Sequence, residues 1–97
     1  MGYRLTLKAQ SDLETIVDYI SDRNAAAAVK LAKRFMQQWE ILATQPYSGQ
    51  ACDDVLPGLR RLVMAEYVAF HRVHGNDVLV LRIVHGKRDI TSDDLTD

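Results

Sequence analysis

The chain has 97 residues, of which 47% are apolar and 26% charged, and a net charge of −1. That makes one domain with one moderate core, and it excludes a bulk attraction to nucleic acid or to a membrane surface. A single cysteine, Cys52, excludes an internal disulfide and a cysteine-based zinc cluster, and fits a reducing cytoplasm.

Tyr3 to Leu7 alternates apolar with polar residues and reads as a short strand with one buried face. The first helix follows, to about Ser21, with Ala9, Leu13, Ile16, Val17 and Ile20 on one stripe. It starts either at Thr6 or at a capping box, Ser11-Asp12-Leu13-Glu14. Asp12, Glu14 and Asp18 lie off the stripe and read as a solvated face. With no His or Cys at helical spacing, Asp12, Asp18 and Asp22 make no metal site. Ser21 to Asn24 breaks the helix, and Asn24 is a good N-cap for a second one from Ala25 to about Thr44. Ala28, Leu31, Ala32, Phe35, Trp39 and Leu42 form its stripe. Two long helices joined by a tight turn predict an antiparallel hairpin.

Gln45 to Gly58 is punctuated by Pro46, Gly49, Pro57 and Gly58 and reads as a loop. Three strands follow, Leu59–Ala65, Tyr67–His74 and Val78–His85, turning at Glu66 and at Gly75-Asn76-Asp77. Residues 90–97 read as a loose acidic tail of the single domain 1–97. No stretch approaches the roughly 18 apolar residues of a membrane span. The opening residues carry no signal-peptide core, so a cytoplasmic location without membrane contact is expected. No glycine-rich phosphate loop is visible, and no cofactor is expected.

The order β-α-α-β-β-β predicts an α+β fold, a helical hairpin on one face of a small, mainly antiparallel four-stranded sheet. On the last strand Leu79, Leu81, Ile83 and His85 form the better core face. Val78, Val80, Arg82 and Val84 form the other, half apolar and with no element left to cover it, which predicts a partner. Charge concentrates in the same region. From Pro57 to Arg88 there are six basic residues (Arg60, Arg61, Arg72, Arg82, Lys87, Arg88) against Glu66 and Asp77, and all three histidines fall there.

Specific fragments carry a resemblance. Tyr3-Arg4-Leu5-Thr6 with Asp12-Leu13 and Tyr19-Ile20 opens the chain; Trp39, Leu42-Ala43, Pro46 and Gly49 follow. Pro57-Gly58-Leu59-Arg60, Tyr67-Val68-Ala69-Phe70-His71-Arg72-Val73 and Leu81-Arg82-Ile83-Val84-His85-Gly86-Lys87-Arg88-Asp89-Ile90 close it. Over nearly the whole length this resembles the ParE/RelE toxin superfamily, and ParE more than RelE. The resemblance implies the toxin of a type II toxin–antitoxin system, often a plasmid stabilisation system, that inhibits DNA gyrase by protein–protein contact. It also implies neutralisation by a cognate antitoxin, ParD-like and of ribbon-helix-helix type. Direct sequence-specific nucleic-acid binding by the chain alone is not expected.

The alternatives are a RelE-like ribosome-dependent mRNA endoribonuclease, in which His85 and Arg88 would be the catalytic residues, and a non-toxic co-repressor that only binds its antitoxin. Cleavage by a 2′-hydroxyl needs a base, an acid and cations on the phosphate. Arg88 matches the last-strand Arg of RelE-type toxins. Val68 stands where many have Arg, Leu62 where a Lys is expected, and no Tyr follows Tyr67. The set favours binding. Arg60, Arg82, His85, Lys87 and Arg88 are the candidate contacts to target or antitoxin. Arg82 serves equally as a bridge to an acid across the sheet, His85 as a structural hydrogen-bonding residue, and Lys87-Arg88-Asp89 as a solvated strand exit. Cys52 reads as a spectator in a loop.

Overall fold

The computed structural model describes residues 1–86, 88 and 90–95. Strand β1 (Gly2–Leu5) leads into helix α1 (Leu7–Ser21) and then helix α2 (Ala25–Thr44). Strands β2 (Gln50–Ala51), β3 (Arg60–Met64), β4 (Tyr67–His74) and β5 (Asp77–His85) follow, with a 3-10 turn at Ser92–Leu95. The sheet order is β1-β5-β4-β3-β2. β1 runs parallel to β5; the other pairs are antiparallel. This is the α+β arrangement expected from sequence, with a fifth strand inside the predicted loop. β2 is two residues long, and two residues have no periodicity to read. Its entry depends on Gly49, at φ +89°, where a Cβ would sit 2.2 Å from the Arg61 carbonyl oxygen.

The α1 start is at Thr6, not at Ser11. The Thr6 hydroxyl accepts from the Ala9 amide at 3.1 Å and donates to the Leu81 carbonyl at 2.8 Å. The same residue therefore caps the helix and ties it to β5. Asn24 caps α2 as expected, accepting from the Ala27 amide at 3.1 Å. Such caps contribute about 1 kcal/mol each. Phe35, Trp39 and Leu42 of α2 are buried with Ala9 of α1 against Met64, Ala69, Val78, Val80 and Ile83 of the sheet. Phe35 and Trp39 stack at 5.7 Å between ring centroids.

β5 does not alternate as a regular strand would. Phe70 pairs with Arg82, but the next residue, His71, pairs with Val80, so Leu81 is an extra residue on the β5 side. One inserted residue reverses the facing of everything before it. Val78 and Val80 face the helices together with Ile83. Leu81 and Val84 are buried on the opposite face, and Leu79 packs there too. The expected core face of Leu79, Leu81, Ile83 and His85 is thus corrected for its first two members.

The opposite face is also not bare. Leu59, Val68, Phe70, Leu81, Val84 and Leu95 are buried there in a second cluster. Cys52, Val55 and Leu56 from the loop before β3 and Ile90 from beyond β5 pack over it. The tail is not loose up to Leu95, which is 6% exposed. A buried leucine contributes about 2 kcal/mol, enough to hold a short acidic segment down. The chain covers with its own loops the face for which sequence predicted a partner.

Candidate functional site

The second sheet face is built by two short folded segments that meet over β3, β4 and β5. On one side Cys52 starts a tight knot. Its carbonyl accepts from the Val55 and Leu56 amides at 3.0 and 3.3 Å, and its amide donates to the Leu59 carbonyl at 2.8 Å. The Gly58 amide donates to Asp53 Oδ1 at 2.9 Å. On the other side the chain leaves β5 through Gly86, whose amide donates to the Glu66 carbonyl at 2.8 Å. The Arg88 amide then donates to the His85 carbonyl at 2.9 Å. A cavity of about 330 Å³ remains between the two segments. Val68, Phe70 and Val84 line it with apolar groups, and Arg61 and Arg88 bring guanidiniums against the single carboxylate of Asp54. Cys52 also lines it. Burial pushes the Cys52 thiol up, so it stays protonated and a poor nucleophile.

Beside this cavity lies a charged hinge. Arg82, next to the bulge, meets α1. Its Nε and Nη2 donate to Asp12 Oδ2 and Oδ1 at 2.6 and 3.0 Å, and the Ile83 amide donates to Oδ2 at 3.0 Å. The remaining Nη1 donates to the Asp94 carbonyl at 3.0 Å. The Asp12 hydrogen bond raises the Arg82 pKa and keeps its charge fixed. Arg88 Nη2 donates to Asp94 Oδ1 at 3.0 Å, while Oδ2 accepts from the Thr91 amide at 3.0 Å and hydroxyl at 3.2 Å. The Thr91 amide, with help from its hydroxyl and from Arg88, holds the Asp94 carboxyl below the usual range.

A family model described as "ParE toxin of type II toxin-antitoxin system, parDE" matches residues 3–90. The chain is 32% identical over 90 residues to Toxin ParE1 of Mycobacterium tuberculosis, covering 91% of this chain and 92% of that one. It is also 32% identical over 84 residues to Toxin ParE1 of Caulobacter vibrioides, covering 86% of each. This chain belongs to the ParE toxin family. Its fold agrees: a structure described as "Chromosomal ParDE TA system from P. aeruginosa" matches with a TM-score of 0.74 at 27% identity, over 88% of this chain and 95% of that one. The chain is therefore a ParE-type toxin of a toxin–antitoxin system.

Within this ParE-type toxin the candidate residues do not converge on one point. Arg82 and Arg88 share Asp94. His85 instead sets its ring against Tyr67 at 6.0 Å, edge-on, and Tyr67 packs against the helix-side core. Arg60 is at the far end of β3, paired with His71. Its Nη1 donates to the Gly49 carbonyl at 3.0 Å, and its guanidinium carbon lies 5.8 Å from the centre of the Tyr47 ring. The partners of His85 and Arg60 on β4, Tyr67 and His71, are four positions apart, roughly 13 Å at the strand rise. Lys87 lies outside the described residues. Among the described residues no group of three or more His, Cys, Asp or Glu is placed to hold a metal ion.

Three residues of the site were not singled out by sequence reasoning. Arg61 is one position from the nominated Arg60, and strand alternation sends it to the cavity face. Asp12 is not on a solvated face; it is the anchor of Arg82. Asp94, in the segment read as loose, joins both arginines. Cys52 lines the cavity and is no spectator in packing.

Proposed function

We propose that this ParE-type toxin acts by gripping DNA gyrase through protein–protein contact, and that a ParD-like, ribbon-helix-helix antitoxin neutralises it. The observation that carries this reading is the cavity on the second sheet face. Arg61 and Arg88 line an apolar floor on which Asp54 is the one acid, and Arg88 also holds Asp94 at 3.0 Å, a contact that a partner carboxylate would exchange. That is a geometry for receiving carboxylates from a partner chain. Among the described residues the arrangement supports contact rather than transfer chemistry. His85 turns to Tyr67, Arg88 turns to Asp94, and the thiol at the cavity is held protonated. The likeness to a ParDE system supports an antitoxin as the first partner.

The test is gyrase supercoiling with purified protein, with and without the product of the neighbouring reading frame. Supercoiling should fall, cleaved-DNA complexes should accumulate, and R61E/R88E should lose the effect. Unchanged supercoiling at saturating protein refutes the gyrase assignment. Codon-positioned cuts in messages from induced cells would instead support an endoribonuclease.

A further inference from the structure

A separate groove opens at the free end of the helical hairpin, where the last turn of α1 and the first half of α2 lean on the β3–β4 turn. Its volume is about 470 Å³. Ile20, Leu31 and Tyr67 give it an apolar floor, and Lys30 and Arg34 line one wall. These two cations are i and i+4 on α2, so they stand side by side on one face, an arrangement that disfavours an isolated helix. Among the described residues the ion pairs are Arg4–Asp77, Arg82–Asp12 and Arg88–Asp94, and neither Lys30 nor Arg34 belongs to one. Glu66, the single acid of the groove, is also outside them. Two exposed cations thus flank apolar surface with one acid, Glu66, on the same groove and no ion pair to it.

The opposite wall holds a strained residue. Met64 pairs with Tyr67, so Ala65 and Glu66 are the two central residues of the hairpin turn. Ala65 has φ +54° and is the sole non-glycine residue with positive φ among those described. A positive φ at the first central position is the sign pattern of a II′ turn, which favours glycine there. The same position of the β4–β5 turn is Gly75, at φ +61°. Alanine at positive φ is strained and, unlike glycine, adds a methyl to the groove wall.

We infer that this groove is a second docking surface, and that its occupant is a segment of a protein partner carrying acidic residues beside apolar ones. Charge complementarity selects the occupant. Lys30 and Arg34 need carboxylates, the floor needs aliphatic or aromatic side chains, and a basic or neutral segment would leave the cations unanswered. This goes beyond the target named above. It adds a surface at the hairpin end, lined by none of the residues of the Arg61–Arg88 cavity.

The probe is a synthetic amphipathic peptide with leucines at helical spacing and glutamates beside them, set against the same peptide with lysines in place of glutamates. The full chain is titrated with each by fluorescence anisotropy, and amide chemical shifts locate the site. The acidic peptide should bind, weaken with salt, and shift the amides of Ile20, Leu31 and Tyr67. K30E/R34E should weaken it about tenfold or more and turn preference toward the lysine peptide. Circular dichroism and Tm should stay those of the parent chain, because both side chains are exposed. Equal binding of the two peptides, shifts confined to the Arg61–Arg88 face, no binding, or indifference to K30E/R34E each overturn the inference. Supercoiling is read separately, so loss of the gyrase assignment and loss of this groove are distinguishable.

Discussion

Removing the Asp12 carboxylate strands Arg82. In the parent chain that carboxylate accepts three hydrogen bonds, from Arg82 Nε at 2.6 Å, Arg82 Nη2 at 3.0 Å and the Ile83 amide at 3.0 Å. The side chains are 12% and 17% exposed, so water replaces few of these contacts. Breaking a buried pair by deleting one partner costs about 3–5 kcal/mol. Residual exposure and the surviving Arg82–Asp94 carbonyl bond move the expectation for Asp12→Ala to the low end, about 3 kcal/mol. At roughly 4–8 °C per kcal/mol for a domain of this size, Tm should fall by about 12 °C or more. Arg82→Ala should cost somewhat less, because a carboxylate near the surface rehydrates more easily than a guanidinium wedged between two segments. Urea unfolding of both single variants and the double variant closes a cycle, and the coupling should be about 2 kcal/mol. A loss below about 1 kcal/mol for Asp12→Ala, or strict additivity, would refute the assignment of Arg82 as an anchor of the fold.

Gly49→Ala drives a Cβ to within 2.2 Å of the Arg61 carbonyl oxygen at a φ of +89°. It should cost about 3 kcal/mol or more and detach β2, seen as lost amide protection at Arg61. Leu95→Ala should cost about 2 kcal/mol by chemical denaturation and expose the second sheet face to a hydrophobic dye. His71 is buried, and burial lowers its pKa from the usual 6.5. The unfolded chain therefore binds more protons below that value. Stability from this group is complete above about pH 6.5 and drains as pH falls toward the folded value. Urea midpoints measured from about pH 7.5 to 5.5 should decline in the parent and flatten in His71→Gln; identical slopes would clear His71 of the effect.

Much of the architecture was legible because its cause is local. The stripe of Ala28, Phe35, Trp39 and Leu42 dictates which side of α2 is buried, and Asn24 marks its start. β4 keeps its predicted bounds, Tyr67–His74. What escaped depends on pairing between distant residues. The bulge at Leu81 is invisible in β5 alone, because it is defined by the partners of Phe70 and His71. Once it is missed, Leu79 and Leu81 are assigned to the wrong side, and the second sheet face looks bare. Ser92–Leu95 went unread for a related reason. A single apolar residue among acids has no period, and its burial is decided by a hollow elsewhere. The site suffered likewise. Arg82 could be nominated by its oddity in an apolar strand, but its carboxylate lies 70 residues earlier. Arg61 could have been found from alternation alone, since adjacent strand residues point to opposite faces.

The parallel pairing of β1 with β5 bears on how the toxin comes into being at the ribosome. Gly2 finds Asp77, the Thr6 hydroxyl finds the Leu81 carbonyl 75 residues later, and Asp12 finds Arg82. The helical hairpin can assemble soon after it is made, yet the strand that leads into it waits for the last one before it has a hydrogen-bonded neighbour. At roughly 5–20 residues per second, seconds of synthesis separate the two. A chain that stops short of β5 lacks the strand that joins β1 to the rest of the sheet, and so the mate of its opening strand. The sheet therefore closes only in chains carried past their last strand, after the helical hairpin has been made.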